Sequence, residues 1–263
     1  MNSSPFGDLA VLRETPVPDM KPVRARLKGS RRPPPDPRDP RFSEPLVDIA
    51  DLGVSGANYY AGDRNPPYYH AAPGAIARVL VRAGVGRLLQ QVNARIAPVG
   101  LELFLFDGWR PTEVQAYFHD QWLPGEMRRR LPDMPKGQLR REVGKYWAAP
   151  STDPTAPAPH NTGGAVDLTL RWKDTGEALW MGSLFDDASA VAGLDFMEKK
   201  LARGGVMAFS DEEARANRRL LCHLMTGVGF ALNPFEWWHY GYGERMWAQL
   251  NHAPFAFYGP ARP

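Results

Sequence analysis

The chain has 263 residues, 43% of them hydrophobic, which is enough for one sizeable core and short of two full domains. Its net charge of +3 sits in residues 1–44, which carry nine Lys/Arg against six Asp/Glu. The remainder is neutral and lacks the clustered basic face that a nucleic-acid partner requires. The single cysteine, Cys222, excludes an intramolecular disulfide, and no apolar run approaches the ~20 residues of a membrane span. The N-terminus shows no continuous apolar stretch of the signal-peptide kind, so a cytoplasmic protein is expected, with no membrane and no nucleic acid among its partners.

Residues 1–45 hold ten of the 26 prolines, Pro33, Pro34 and Pro35 among them. With few large apolar residues they read as a Pro/Arg-rich N-terminal arm, flexible or polyproline-like, ahead of a domain spanning 46–263. After Pro73, the apolar positions Ile76, Val79, Leu80, Leu88, Leu89, Val92 and Ile96 predict a helix weakened in its middle by Gly84 and Gly86. Pro98 and Gly100 end it, Leu101 to Phe106 reads as a strand, Asp107-Gly108 as a turn, and Thr112 caps a helix to about Trp122. Residues 123–159 read as a long surface excursion ending in a proline-rich stretch. From Gly164 to Leu170 a strand presents Val166, Leu168 and Leu170 on one face and Ala165, Asp167 and Thr169 on the other. A second irregular excursion covers 181–209. Ser210-Asp-Glu-Glu213 reads as a capping box, and its helix presents Leu220, Leu221, Leu224, Met225 and Val228 before Gly227 and Gly229 stop it. This order is α+β: a single compact domain with a small antiparallel sheet flanked by helices, without an internal repeat.

Three stretches carry chemistry. In His160-Asn-Thr-Gly-Gly-Ala-Val-Asp167 a turn at Gly163-Gly164 can bring the histidine and the carboxylate together, and an acid within so apolar a strand needs a cation to compensate it. In Glu236-Trp-Trp-His239 a third ligand stands three residues after an acid that can reach a bound water; that spacing requires a turn or bulge. In Phe106-Asp-Gly-Trp-Arg-Pro111, Arg110 follows a strand and a glycine turn and can face a cleft as an oxyanion stabiliser. His70, His119, His223 and His252 have no comparable setting, and His223 reads as structural.

Together these stretches resemble the zinc D-alanyl-D-alanine dipeptidases of the VanX type and, more distantly, the D,D-carboxypeptidases of the same superfamily. The family pattern S-x-H-x-x-G-x-A-x-D stands here as Ala158-Pro-His160-Asn-Thr-Gly163-Gly-Ala165-Val-Asp167. Glu236-Trp-Trp-His-Tyr240, Asp107-Gly-Trp-Arg110-Pro and Met181-Gly-Ser-Leu-Phe-Asp186 match further motifs, over about residues 47–245. The resemblance implies one zinc ion per chain held by His160, Asp167 and His239, with Glu236 as general base then acid and Arg110 as transition-state stabiliser. It implies Asp186 as the carboxylate that binds the substrate amine, with Asp195 as a competing alignment. The implied reaction is zinc-dependent hydrolysis of D-Ala-D-Ala or a similar small dipeptide by a zinc-activated water.

The chain departs from the pattern at Ala158, where the family has serine, in longer loops around the motifs, and at Val54, where a tyrosine is expected and Tyr59 or Tyr60 could substitute. Alternatives at this level are a cell-wall D,D-carboxypeptidase or endopeptidase, a recruited amide hydrolase, and a metal-binding scaffold without turnover. A scaffold would need the ligands but neither Glu236 nor Arg110.

Overall fold

The leucine- and phenylalanine-rich run from Leu101 to Asp107 and the largely apolar run from Ala165 to Trp172 form the two long strands of the fold, paired antiparallel. The computed structural model describes residues 4–29 and 31–263. With strands numbered in chain order, β1 (Leu46–Asp48) and β3 (Leu80–Arg82) make a separate two-stranded ribbon. The central sheet has five strands: β2 (Ser55–Gly56), β4 (Leu101–Asp107), β5 (Ala165–Trp172), β7 (His239–Gly241) and β6 (Ala231–Leu232), in that spatial order. Only the short β2 runs parallel to its neighbour. The first six residues of β5 are all buried, as expected of a strand covered on both faces. The α+β reading of the sequence holds.

The helix expected after Pro73 begins later, as α3 (Ala83–Ile96). Leu80 to Arg82 are a strand instead, because β1 offers them a ladder and all three are buried in it. Gly84 and Gly86 therefore lie in the first turn of α3, where both are places of close approach. A Cβ on Gly86 would stand 2.3 Å from the Leu52 side chain, and one on Gly84 would stand 2.5 Å from the Tyr258 hydroxyl. The 123–159 excursion also holds regular structure. The helix opened by α4 (Thr112–Tyr117) passes through a π-helical turn at 118–122 into α5 (Leu123–Arg130), and α6 (Lys136–Tyr146) follows. Leu123, Leu139, Val143 and Trp147 supply the buried side chains that hold these helices on the body.

Residues 181–209 contain α7 (Phe196–Ala202), which precedes the long α8 (Phe209–Gly227). The start of α8 differs from the capping box expected at Ser210. Ala208 is the N-cap, and Asp211 reaches back to accept its backbone N–H at 2.8 Å. Gly227 ends α8 and Gly229 follows with φ +98°, as the glycine pattern predicts.

The proline-rich arm carries two helices, α1 (Ala10–Glu14) and α2 (Met20–Gly29), with Phe6, Leu9 and Met20 buried against the body. Burying each such side chain contributes about 1.5–3 kcal/mol. Arg13 reaches Glu213 and Asn217 on α8, Arg219 donates to the Glu14 carbonyl, and His223 lies against the Thr15 carbonyl. Arg24 clasps Asp195 at 2.6 and 2.8 Å and donates to the Pro234 carbonyl. A final helix, α9 (Arg245–Leu250), packs against α2, with Gln249 donating to the Arg26 carbonyl. No described helix is long and apolar enough to cross a membrane.

Candidate active site

The register of three neighbouring strands assembles the centre. Asp107 on β4 stands opposite Asp167 on β5, after an irregularity between Leu105 and Asp107, and Asp167 stands opposite His239 on β7. His160 arrives from a 3-10 turn, His160 to Thr162, closed by Gly163 at φ +70°. A Cβ on Gly163 would lie 2.5 Å from the Leu46 side chain, so both the turn and the packing select glycine. The turn between Pro234 and Glu236 reverses the chain before β7, which answers the three-residue spacing of Glu236 and His239.

His160, Asp167 and His239 are buried, and their ligand atoms all lie within 4.8 Å of one another. His160 Nε2 is 3.1 Å from His239 Nδ1 and 3.3 Å from Asp167 Oδ2, and His239 Nδ1 is 3.0 Å from Asp167 Oδ1. Ligands at the zinc–nitrogen distance of ~2.0–2.1 Å and tetrahedral angles stand about 3.3 Å apart, so the donors are already spaced for that ion. His160 Nδ1 donates to the Gly108 carbonyl at 2.9 Å, which leaves Nε2 with its lone pair toward the centre. Gly108 can hold that carbonyl in place because it lacks a Cβ, which would meet the Leu80 carbonyl oxygen at 2.4 Å. Two nitrogens and one carboxylate, with a cavity on the remaining side, fit zinc in a catalytic rather than a structural arrangement.

Burial alone would raise the Asp167 carboxyl, but His160 and His239 hold it far below the usual carboxylate range. The reverse applies at Glu236, where burial pushes the carboxyl up, partly opposed by His239. Glu236 Oε2 is 3.9 Å from His239 Nδ1, outside the donor cluster, and accepts from Asn233 Nδ2 at 2.7 Å. Arg110 is nearly sealed. It donates from Nε to Asp107 Oδ2 at 2.8 Å and from Nη1 to Gln115 at 3.0 Å. Its Nη2 donates to Tyr60 at 2.9 Å and to Asp167 Oδ2 at 3.1 Å. A guanidinium has five N–H donors, so one Nη1–H remains for the pocket among the described contacts. The guanidinium also lies over the rings of Tyr60 and Trp147, 4.5 and 5.0 Å from their centroids.

Asp186 lines the same cavity of about 300 Å³ as the three donors, Glu236 and Arg110. Its backbone is left-handed at φ +57°, uncommon for a residue with a side chain, and this aims the carboxylate inward. Oδ2 accepts from Tyr60 and Tyr68, each at 2.7 Å. Burial and then the nearby Asp167 charge push this carboxyl up to about 8, so a cation entering beside it would be strongly favoured. The competing Asp195 is elsewhere engaged, by Arg24 and Lys199. Of the two tyrosines that could replace the one missing near Val54, Tyr60 joins Arg110 to Asp186, whereas Tyr59 packs its ring on Phe106 and Phe185.

Sequence reasoning missed Tyr68, Gln115, Asn233 and the role of Asp107 beside both His160 and Arg110. Asp107 stood within a matched motif; the other three carry no local pattern that marks them. The remaining histidines stay outside the centre, with His70 against Tyr68 and Tyr117, and His119 against Asp120.

Fold and site thus define a small α+β domain built around a His/Asp/His cluster that could hold a metal ion, with the Glu236 carboxylate at its edge. Residues 70–257 match the M15 peptidase family described as D-ala-D-ala dipeptidase, and the chain belongs to that family. It is 30% identical over 237 residues to the D-alanyl-D-alanine dipeptidase of Synechocystis sp., covering 82% of this chain and 91% of the relative. It is 33% identical over 174 residues to the D-alanyl-D-alanine dipeptidase of Enterococcus faecium, covering 63% and 74%. Among solved structures it is similar to VanYB in complex with D-alanine-D-alanine, at 14% identity and TM-score 0.36, over 74% of this chain and 92% of that one.

Proposed function

We propose that this protein is a zinc dipeptidase that hydrolyses the peptide bond of small free dipeptides of the D-Ala-D-Ala type. The observation that carries this reading is the sharing of one cavity by the His160/Asp167/His239 cluster, Glu236, Arg110 and Asp186. Zinc, when bound, polarises a carbonyl and lowers the pKa of a water. The chain's own groups perform the remaining tasks. Glu236, held by Asn233 and raised by burial, takes the proton of the attacking water and delivers it to the leaving amine. The spare N–H of Arg110 faces charge developing on the carbonyl oxygen. Its other donors are fixed beforehand by Asp107, Gln115 and Tyr60, so little reorganisation accompanies the step.

Asp186 takes the free ammonium of the substrate, with Tyr60 and Tyr68 supporting the carboxylate. A blocked amine removes the cation, so the ion pair with Asp186 cannot form. Zinc-loaded protein incubated with D,D-, L,D- and L,L-dipeptides should release free amine fastest from D,D-dipeptides. N-acetyl-D-Ala-D-Ala and a D-Ala-D-Ala-terminated tripeptide should react at least ~10²-fold more slowly. Efficient cleavage of the blocked substrates would make this a carboxypeptidase or endopeptidase instead.

A further inference from the structure

Beside the metal pocket lies a larger cavity, and the two share eight lining residues, among them Asp186, Glu236, Trp147, Phe235 and Trp238. The metal pocket measures about 300 Å³ and its neighbour about 950 Å³, near the upper end for small-molecule sites. Trp122 and Leu123 form one part of its wall, the 188–193 segment another, and Phe235 a third. The arm adds to its wall through Arg24 and Lys28 of α2, with Arg24 anchored to Asp195 and the Pro234 carbonyl. Three of the cations in the wall are paired. Arg24 and Lys199 pair with Asp195, and Lys200 pairs with Asp211.

We propose that this chamber receives the side chain of the substrate's amine-bearing residue, so that the enzyme prefers free dipeptides whose first residue is large and apolar. The inference rests on the reading of Asp186 as the ammonium site. Amine and side chain leave the same α-carbon, two bonds apart. Asp186 stands in the wall of both cavities, so an ammonium held there puts the first Cβ at the opening of the chamber. A methyl group leaves the chamber to water. A leucyl or benzyl group displaces that water from Trp122, Leu123, Trp238 and Phe235, and is itself withdrawn from solvent. The second residue of the dipeptide points away from Asp186 and gains nothing from the chamber.

The test compares kcat/KM of the zinc-loaded full chain for D-Ala-D-Ala, D-Leu-D-Ala, D-Phe-D-Ala and D-Ala-D-Phe. One methylene in an apolar pocket is worth about 10-fold or more, so D-Leu-D-Ala and D-Phe-D-Ala should exceed D-Ala-D-Ala by at least ~10-fold, and D-Ala-D-Phe should not. Ala188 and Ala190 are exposed on the chamber wall and can carry a larger side chain into it. Ala188→Trp, and independently Ala190→Trp, should erase the preference and leave D-Ala-D-Ala turnover within about twofold. Cleavage of D-Ala-D-Ala without preference for the larger first residue overturns this inference and leaves the dipeptidase reading standing. A preference untouched by both tryptophans, or equal cleavage of N-acetylated dipeptides, also overturns it. Failure to cleave any of the four substrates overturns the dipeptidase reading itself.

Discussion

His239→Ala should leave the protein folded with far less than one zinc per chain, and should lower turnover of D-Ala-D-Ala by ~10²–10⁴-fold or more. The size of the effect follows from geometry. His239 stands 3.1 Å from His160 and 3.0 Å from Asp167, within reach of both other members of the cluster. Its removal leaves two donors where a catalytic zinc site uses three. His160→Ala and Asp167→Ala should behave alike. Metal analysis of the dialysed variants, alongside circular dichroism, separates loss of the ion from loss of fold. Full zinc retention in all three would place the metal elsewhere.

Glu236→Gln should keep zinc at one per chain and reduce kcat by ~10²–10⁴-fold, the usual contribution of one positioned acid/base. The amide is the same size and can still accept the Asn233 hydrogen bond through its oxygen, so the surroundings are preserved. It cannot carry a proton from water to amine. The wild-type carboxyl is suited to that task because burial raises it toward neutrality, while His239 restrains the rise. Metal analysis with steady-state kinetics checks both halves of this expectation. A variant with wild-type kcat would assign the proton transfer to another group.

What the sequence revealed about the centre came from motifs joined to a simple feature of strands. Asp167 lies within an apolar strand and His239 just past a turn, and strand register then places them opposite each other. The turn at Gly163 and the reversal before His239 were both readable from residue type and spacing. The boundary between β3 and α3 was not readable, because Leu80 to Arg82 fit a helical period as well as a strand, and only the distant β1 decides between them. The walls of the two cavities were equally hidden. Residues 123–159 look like a polar loop because proline, arginine and lysine dominate them, yet Leu123, Leu139, Val143 and Trp147 are buried, the last three at helical spacing. Arm residues such as Arg24 acquire meaning only through partners about 170 to 210 positions away. Tyr68 shows the same limit, since it reaches Asp186 across 118 residues and no local pattern announces that contact.

The most direct test of the account is a zinc titration of metal-free protein, with bound metal and hydrolysis of D-Ala-D-Ala measured on the same samples. The account predicts that turnover rises in proportion to bound zinc, reaches its plateau at one equivalent per chain, and is lost again with a chelator. Hydrolysis that persists in fully stripped protein, or its absence at one bound equivalent, would contradict it.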